Sequence, residues 1–416
     1  MSRWSNRSTA VALAAALALS IPAGAVAQDG EAPEFDMKVG VLMSFSGAAA
    51  NAGPPWDKAA RIGVDTVNAA IEEAGLSDKL SVTAVTEDDG STNATASEAT
   101  TKLIKVDDAS VILGPCCSGV TVAIATAITI PEGVPVLTIG TSPTITALED
   151  DGTVFRTVPS DSLQGEVLAQ AVFDALGDGA VVNIGARNDA YGTGLSSTFT
   201  PAFEALGGSV GKQVLWNPDA TTFDTEAQEL VSGDPDGWVF FEFTGTWPQI
   251  QPALERTGEW DPALSFGGDT FNKQQTTPAG MRGTIATVEG GTGFPFFKAI
   301  WDEGTEAGDG IEYFGSIEPQ AFDNVILSFL AALNGGSADP AVVAENLPLV
   351  ANGGTQYGPD QLAEAIAAVI AGEDIDYIGA TGPADFDENG DTTVALFDVW
   401  LAGENGETEV LSTVEF

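Results

Sequence analysis

The chain has 416 residues, of which 44% are hydrophobic, and its 60 acidic residues against 15 basic ones give a net charge of −45. This length allows two domains with cores of their own, the apolar content excludes a disordered protein, and the acidity excludes nucleic acid and anionic membrane surfaces as partners. The acidic residues are spread along the chain, which is typical of a protein that stays soluble in a salty or crowded medium.

Histidine is missing from the sequence, and cysteine is rare. The first observation excludes histidine-based catalytic triads, histidine general bases and histidine metal ligands. The two cysteines, Cys116 and Cys117, are adjacent, so they form no disulfide framework. We expect both to be free, buried thiols; a strained ring between them is the alternative.

Residues 1–27 have the three parts of a secretory signal peptide. Arg3 and Arg7 form the basic part, residues 11–19 form the apolar part, and a small-residue motif ends at Ala27. The apolar part is too short to span a bilayer. We therefore expect cleavage after Ala27 and export to the periplasm. The residue directly after the cleavage point is Gln28 and not a cysteine, so we expect no bacterial lipoprotein anchor.

Strands and helices alternate in the first part of the mature chain. Apolar runs and stripes predict strands at residues 38–43, 80–86, 111–113 and 134–139 and helices at residues 56–74 and 93–106. Residues 153–159 then resemble a passage into a second domain.

The second part of the chain repeats this alternation. We predict strands at residues 181–185, 210–216, 238–243 and 264–266, helices at residues 195–206, 322–333 and 361–370, and a hairpin at residues 385–401 with its turn at 388–391. The glycine-rich segment 290–315 follows neither pattern. Alternating strands and helices imply parallel sheets that are covered on both faces.

Two hydroxyl-rich turns follow the neighbouring strands at residues 111–113 and 134–139. The first turn contains Ser118, and the second contains Thr141 and Ser142. Two parallel strands joined by a helix place both turns at the carboxyl edge of the sheet, where open α/β folds bind ligands. Hydroxyls and helix-start N–H groups, without Lys or Arg, suit a small carboxylate. The alternative is that these hydroxyls only cap helices.

Eight segments occur along the chain in a fixed order: KVGVLMSFSG, EDDG, GPCCSG, IGTSPTITAL, VFRTVPSDSLQG, NDAYGTGL, FGGD and DFDENGD. Their order resembles that in periplasmic leucine/isoleucine/valine-binding proteins, the type I solute-binding subunits of amino-acid ABC transporters. Each segment is short, but eight in order over nearly the whole mature chain are specific. The resemblance is poorest between residues 290 and 385, where this chain carries extra residues.

The resemblance implies a fold of two doubly wound, parallel-sheet α/β lobes. Three crossovers would join the lobes, near Arg156, Val288 and Thr381, and a ligand would be trapped in the cleft as the lobes close. Lobe 1 would comprise residues 36–156 and 289–380, and lobe 2 residues 157–288 and 381–416.

The resemblance also implies how the ligand is held. It implies contacts of the ligand carboxylate with Ser118, Thr141 and the backbone of Ile139 and Gly140, of the ligand ammonium with Asp269, and of the ligand with Tyr191 from the second lobe. The residues themselves agree, because a zwitterion needs donors on one side and an acid on the other. Tyr191 falls in a predicted loop between strand and helix, where cleft residues gather; a core position is the alternative.

Three further features leave alternatives open. Trp247 either lines the second-lobe side of the cleft or makes a hydrophobic contact at a helix start. Residues 385–391 match half of a calcium loop, but Leu396 stands where that loop needs its bidentate acid. We therefore favour a solvated turn and predict no metal site. Ala52 stands where the family often has an aromatic ring, which leaves the ligand's side chain open.

These observations predict a monomeric, non-enzymatic binding protein without a cofactor. It would carry an amino acid, branched-chain by resemblance, to the membrane permease subunits of an ABC importer. One alternative is the same fold carrying amides, urea or aromatic carboxylates, for uptake or for sensing. A periplasmic hydrolase is disfavoured because the sequence lacks histidine and a nucleophile elbow.

Overall fold

A computed structural model describes residues 31–287, 291–306, 309–311, 313, 315 and 317–415. The predicted signal peptide and the crossover position Val288 lie outside the described residues. The strands are β1 (Phe35–Met43), β2 (Leu80–Asp88), β3 (Val111–Leu113), β4 (Val136–Thr138), β5 (Val154–Arg156), β6 (Val181–Arg187), β7 (Ser209–Trp216), β8 (Gly237–Phe241), β9 (Ser265–Gly267), β10 (Arg282–Ala286), β11 (Thr355–Tyr357), β12 (Ile375–Gly379), β13 (Gly382–Pro383), β14 (Leu396–Ala402) and β15 (Thr408–Glu415).

Helices follow most of these strands, as the alternating pattern predicts. They are α1 (Gly53–Glu73), α2 (Asn93–Lys105), α3 (Ser118–Ile124), α4 (Ile130–Glu132), α5 (Pro143–Thr146), α6 (Asp161–Leu176), α7 (Ala190–Leu206), α8 (Asp224–Val231), α9 (Trp247–Thr257), α10 (Phe294–Glu306), α11 (Glu318–Gly335), α12 (Pro340–Ala351) and α13 (Leu362–Ile370). Within the described ranges no single helix is long and apolar enough to cross a membrane; α11 and α12 pass that test only together, as a pair bent by 105°.

The first sheet has the order β2-β1-β3-β4-β5, and its strands are all parallel. Its central strands are continuous apolar runs because both faces are covered. One face packs on α1 and α11, where Val41 meets Trp56 and Val325 in one core cluster. The other face packs on α2 and α3, where Ile112 lies in a second cluster with Leu103.

The second sheet has the order β15-β14-β10-β9-β8-β6-β7. Strands β6 to β10 are parallel to one another, and β14 and β15 extend the sheet beyond β10 in antiparallel fashion. One face carries Phe199 of α7 and the other carries Leu230 of α8. Two sheets with helices on both faces confirm the predicted α/β fold class.

The chain passes between the two sheets three times: from β5 to α6, after β10, and from β13 to β14. The first and third passages are tied together, because the guanidinium of buried Arg156 binds the Asp391 carboxylate with Nε–Oδ1 at 2.5 Å and Nη2–Oδ2 at 2.7 Å. The lobe boundaries stay a prediction.

The turn predicted at residues 388–391 is present, and Phe386 and Thr392 form an antiparallel bridge around it. The predicted hairpin does not extend to residue 401, because β14 pairs with β15 beyond it through a turn at residues 403–407. Asp387 Oδ1 accepts from the backbone N–H groups of Asn389 and Asp391. Asp387 and Asp391, two of the acids in the half-matched calcium motif, therefore accept hydrogen bonds from the protein itself.

Helix α7 begins at Ala190, earlier than the sequence pattern predicts, so Tyr191 lies in its first turn and not in a loop. Asp189 is the N-cap and accepts from the backbone N–H groups of Tyr191 and Gly192, which makes the glycine-containing start helical. The sequence analysis did not predict helices α6, α8, α9, α10 and α12 or strands β5, β10 to β13 and β15, partly because prolines interrupt α9 and α12.

Candidate ligand site

A cavity of about 130 Å³ lies between the two sheets. This volume is on the order of ten times what one water molecule needs. Most lining residues follow β1, β3, β4, β5, β8 and β9 or lie at the starts of the helices after them, and Ile285 lies at the end of β10. The lining includes Ala48, Ala49, Asn51, Ala52, Cys116, Ile139, Thr141, Val158, Gln164, Tyr191, Phe243, Asp269, Gln274 and Ile285. Carboxyl ends of parallel strands therefore meet here from both sheets, as expected for this fold class.

On the first-sheet side, the cavity is lined by Ile139 and Thr141 but not by Ser118 or Gly140. The Ser118 hydroxyl accepts from the backbone N–H of Ser142 at 3.2 Å. The backbone N–H of Gly140 donates to the Thr138 hydroxyl at 2.9 Å. Ser118 and Gly140 therefore hold the two turns in place from behind the cavity wall.

Thr141 is bonded to an acid that the sequence analysis did not single out. Its hydroxyl donates to Asp161 Oδ2 at 3.1 Å, and its carbonyl accepts from the Asp161 N–H at 2.8 Å. Asp161 is the first residue of α6, after the N-cap Ser160. The Pro-Ser-Asp sequence that follows β5 was a usable signal, because an N-cap serine places the next side chain at a helix start.

On the second-sheet side, Tyr191 and Asp269 meet at the cavity. The Tyr191 hydroxyl donates to Asp269 Oδ1 at 2.9 Å. Asp269 is half-buried and lines the cavity. Desolvation raises the pKa of Asp269, and the hydrogen bond from Tyr191 opposes this rise. Desolvation and then the nearby Asp269 charge raise the pKa of Tyr191 well above its ordinary value.

Asp161 and Asp269 influence each other across the cavity wall. Burial raises the pKa of Asp161 well above its ordinary value, and the charge of Asp269 adds to the rise. Asp161 Oδ1 is buried and has no hydrogen-bond partner in the described part of the chain. Among the described lining residues none is Lys or Arg. The site is therefore negative on one side and lacks a positive side chain of its own.

Phe243 lines the cavity on the second-sheet side, and Arg187 packs behind it. The sequence analysis singled out neither residue. The Phe243 ring stacks on Tyr191 with centroids 5.2 Å apart, and the Arg187 guanidinium lies 3.8 Å from the centroid of Phe243. Arg187 is held by Glu242 at 2.7 Å. Burial raises the pKa of Glu242, and the charge of Arg187 opposes the rise.

Trp247 is in the core, so the prediction that it lines the cleft is wrong. It begins α9 and is fully buried. Its ring packs edge-on against Phe240 and Phe271, each with a centroid distance of 5.0 Å. Because Phe271 follows Asp269 by two residues, Trp247 supports the Asp269 segment from behind.

The cavity is closed by contacts between its two sides. Asn51 Nδ2 donates to Gln274 Oε1 at 3.1 Å, and the Ser142 hydroxyl donates to the Ala190 carbonyl at 2.7 Å. Gly245 approaches Ala48 so closely that a Cβ on it would lie 2.3 Å from the Ala48 carbonyl oxygen. The structure therefore represents a closed arrangement of the two sheets.

Both cysteines are free, as predicted. Cys117 is buried, but Cys116 is half-buried and lines the cavity, which corrects the expectation that both are buried. The two sulfurs lie 3.4 Å apart. No local sequence signal places Cys116 beside a ligand, because its position depends on how the two sheets meet.

The family described as "Periplasmic binding protein" matches residues 36–294 of this chain. A relative from Halobacterium salinarum, the "Chemotactic signal transduction system substrate-binding protein BasB", is 27% identical over 288 residues, which is 66% of this chain and 65% of that protein. The alignment thus spans less than two thirds of the relative's length.

Solved structures share the fold. The leucine binding protein LivK of Thermotoga maritima has a TM-score of 0.71 and 21% identity, over 91% of this chain and 98% of its own. A solute binding protein of an ABC transporter from R. palustris, in complex with benzoate, has a TM-score of 0.67 and 20% identity, over 91% and 96%. Together with the family match, these likenesses confirm the resemblance found in the sequence.

Proposed function

Because the chain belongs to the periplasmic binding protein family, we propose that it captures a branched-chain amino acid in the periplasm and delivers it to the permease subunits of an ABC importer. The ligand would be trapped between the two sheets as they close, without being chemically changed. Members of this family bind solutes and are not enzymes.

The observation that carries the proposal is the acid at the cavity wall. Asp269 faces the cavity, and no described lining residue carries a positive charge. A desolvated carboxylate is costly unless it is paired. A ligand ammonium would pair with Asp269 through a charge-assisted hydrogen bond, while the Tyr191 hydroxyl already donates to the same carboxylate.

The ligand carboxylate would lie on the first-sheet side, at Ile139 and Thr141. The backbone N–H of Thr141 donates to no acceptor within the described part of the chain, and its hydroxyl needs only to turn from Asp161 to reach a ligand. Ser118 and Gly140 would act indirectly, by holding the turn that presents this N–H group. Donors here and an acid opposite match the two ends of a zwitterion.

The remaining wall is suited to an aliphatic side chain. Ala49, Ala52, Val158, Ile285 and Ala286 line the cavity without offering a side-chain donor or acceptor. Burial of such surface against a branched aliphatic group is favourable, at about 25 cal/mol per Å². The leucine binding protein among the structural neighbours is consistent with this assignment.

An aromatic carboxylate is the second candidate, because a neighbour of the same fold binds benzoate. Such a ligand has no cation, so it would leave Asp269 unpaired in the closed cavity. A sensory role is also compatible with an amino-acid ligand, since the Halobacterium salinarum relative is a chemotactic substrate-binding protein. Transport and sensing differ in the membrane partner and not in the cavity.

The test is a calorimetric titration of the purified mature protein with leucine, leucinamide and benzoate. We expect leucine to bind tightly, leucinamide to bind poorly because it lacks the negative charge, and benzoate to bind poorly because it lacks the ammonium. Stronger binding of benzoate than of leucine would refute the amino-acid assignment, and equal binding of leucinamide would refute the carboxylate contact. Uptake by cells that carry the cognate permease then tests delivery.

A further inference from the structure

The adjacent thiols of Cys116 and Cys117 have no part in the proposed amino-acid site, although one of them faces the cavity. Their sulfurs are 3.4 Å apart, and both cysteines are free. Cys116 lines the cavity, while Cys117 lies just behind it and is 5% exposed. A small molecule that enters the open cleft therefore reaches the Cys116 sulfur directly. The Cys117 sulfur becomes accessible to it only after the molecule is bound at Cys116.

The polar groups around the sulfurs come from the ends of β1 and β2. The Ser44 hydroxyl lies 3.6 Å from Cys116 Sγ and 4.0 Å from Cys117 Sγ, and it donates to Asp89 Oδ1 at 2.6 Å. Asp89 is fully buried, and its other oxygen, Oδ2, has no hydrogen-bond partner in the described part of the chain. The Asp89 carboxylate, one oxygen of which lacks a donor, is thus linked to the two thiols through the Ser44 hydroxyl.

Ordinary thiolate–metal chemistry does not fit this pair. Structural zinc takes four Cys or His ligands, whereas no group of three or more His, Cys, Asp or Glu side chains that could hold a metal occurs among the described residues. A linear two-sulfur metal complex needs its sulfurs on opposite sides of the ion, further apart than these. The hydrogen bond with Cys117 and burial also raise the pKa of the Cys116 thiol well above its ordinary value, which disfavours the free thiolate.

We propose that Cys116 and Cys117 form a chelating site for a trivalent arsenic oxyacid at the wall of the cavity. Neutral thiols condense with As–OH groups: each step breaks one As–OH bond and one S–H bond and forms one As–S bond and one water. Arsenic stays trivalent, so no oxidant or reductant takes part. Two bonds from one arsenic atom form a bent bridge, which suits neighbouring sulfurs. The remaining As–OH is a hydrogen-bond donor, and the Ser44 hydroxyl, which lies near both sulfurs, is an acceptor for it.

Arsenite binding to the folded, full-length mature protein tests this assignment. Freshly reduced protein is incubated with arsenite, separated from excess reagent and analysed by native mass spectrometry. We expect one arsenic per chain, which a monothiol does not remove and dimercaptopropanol does. The matched variants Cys116→Ser and Cys117→Ser should each retain at least tenfold less arsenic, because one thiol gives no chelate.

Several results would overturn the proposal. These are arsenic retention by either single variant at the wild-type level, retention by the wild type only after unfolding in urea, and removal of the arsenic by a monothiol. Cys117→Ala replaces Cys117→Ser if the buried hydroxyl prevents folding, and melting temperatures show which variants are folded. Leucine affinity is measured separately on the same variants. The arsenic proposal does not depend on that affinity, so absence of leucine binding would contradict the proposed function and not the arsenic site.

Discussion

The two sides of the cavity use their polar groups differently. On the first-sheet side, the hydroxyl of Ser118 binds the backbone of the neighbouring turn and that of Thr141 binds Asp161. On the second-sheet side, Asp269 has a tyrosine donor but meets no positive side chain among the described lining residues. The two hydroxyls of the first side thus have protein partners, although Asp161 Oδ1 beside Thr141 has none in the described part of the chain, and Asp269 on the second side lacks a cation.

This difference shows which kind of residue marks a binding site. A hydroxyl in a turn can serve its own backbone, so its presence says little about a ligand. A desolvated acid without a counter-charge is costly for the protein alone. The second side therefore carries more information about the ligand than the hydroxyl-rich turns, although the turns are the more conspicuous feature of the sequence.

The largest effect is expected from removing that acid. Asp269→Ala should weaken leucine binding by about 3–5 kcal/mol, by analogy with buried ion pairs that lose one partner. The free protein should remain folded, since the change also removes an uncompensated charge. Calorimetry measures the affinity and thermal unfolding measures the stability.

The matched control for Asp269→Ala is Glu229→Ala, which removes one negative charge from an exposed position on α8. Its affinity for leucine should equal that of the wild type. If the two variants bound leucine equally well, Asp269 would not contact the ammonium and the comparison between the two sides would fail.

A third acid, Asp323, is a reference away from the cavity. It accepts hydrogen bonds from the Tyr377 hydroxyl and from the N–H groups of Ala380 and Thr381. Burial nevertheless raises the pKa of Asp323 from 3.8 to about 6. Burial of an acid alone is therefore no sign of a ligand site; what distinguishes Asp269 is the cavity.

The raised pKa of Asp323 predicts how stability depends on pH. Between about pH 4 and 6 the folded protein holds a proton that the unfolded chain has lost, so this group's contribution to stability falls as pH rises. At 1.36 kcal/mol per pH unit the loss is about 3 kcal/mol. Leucine affinity should change in the opposite direction, because ionisation of Asp269 favours ammonium binding.

Chemical denaturation at several pH values measures the Asp323 effect, and Asp323→Asn is the variant that removes the titration. We expect a shallower fall in stability between pH 4 and 6 for the variant than for the wild type, whatever its absolute stability. Identical slopes would show that Asp323 titrates at its ordinary pKa in the folded protein.

Substituting Thr141 and Ser118 one at a time distinguishes a hydroxyl that binds the ligand from one that stabilises the fold on the first-sheet side. Thr141→Val should weaken leucine binding by about 1.5–3 kcal/mol, since a charge-assisted hydrogen bond is lost. Ser118→Ala should instead lower the free energy of unfolding by about 1–3 kcal/mol, because the buried N–H of Ser142 loses its acceptor. The reverse pattern, with affinity lost in Ser118→Ala alone, would restore Ser118 as a direct contact.

The sequence predicted the fold class and the strand ends at which the cavity lies, because apolar runs and the turns after them are local signals. It did not predict which hydroxyl faces the cavity: Ser118 and Thr141 follow similar strands, and only the packing of α3 on α5 and α7 separates them. Trp247 was misplaced for the same reason, since a tryptophan at a helix start suits a cleft and a core equally. Asp161 and Phe243 become site residues only when the two sheets meet.

The smallest expected effect concerns the closing of the two sides, and it is tested by a pair of glycines. Gly245 follows β8, and a Cβ there would lie 2.3 Å from the Ala48 carbonyl oxygen across the cleft. Gly119 also faces the opposite side, but a Cβ there would meet nothing nearer than the Ala190 nitrogen at 4.0 Å. Neither glycine has the positive φ that disfavours alanine.

Gly245→Ala should therefore oppose closure without disturbing either sheet, whereas Gly119→Ala should leave closure unchanged. A penalty of about 1.4 kcal/mol on the closed arrangement weakens leucine binding tenfold. Calorimetry of both variants measures this difference, and small-angle scattering with saturating leucine shows whether the radius of gyration decreases as it should in the wild type. Equal affinities for both variants would mean that Gly245 and Ala48 do not approach in the ligand-bound protein, so that the two sides meet the ligand from further apart than in this structure.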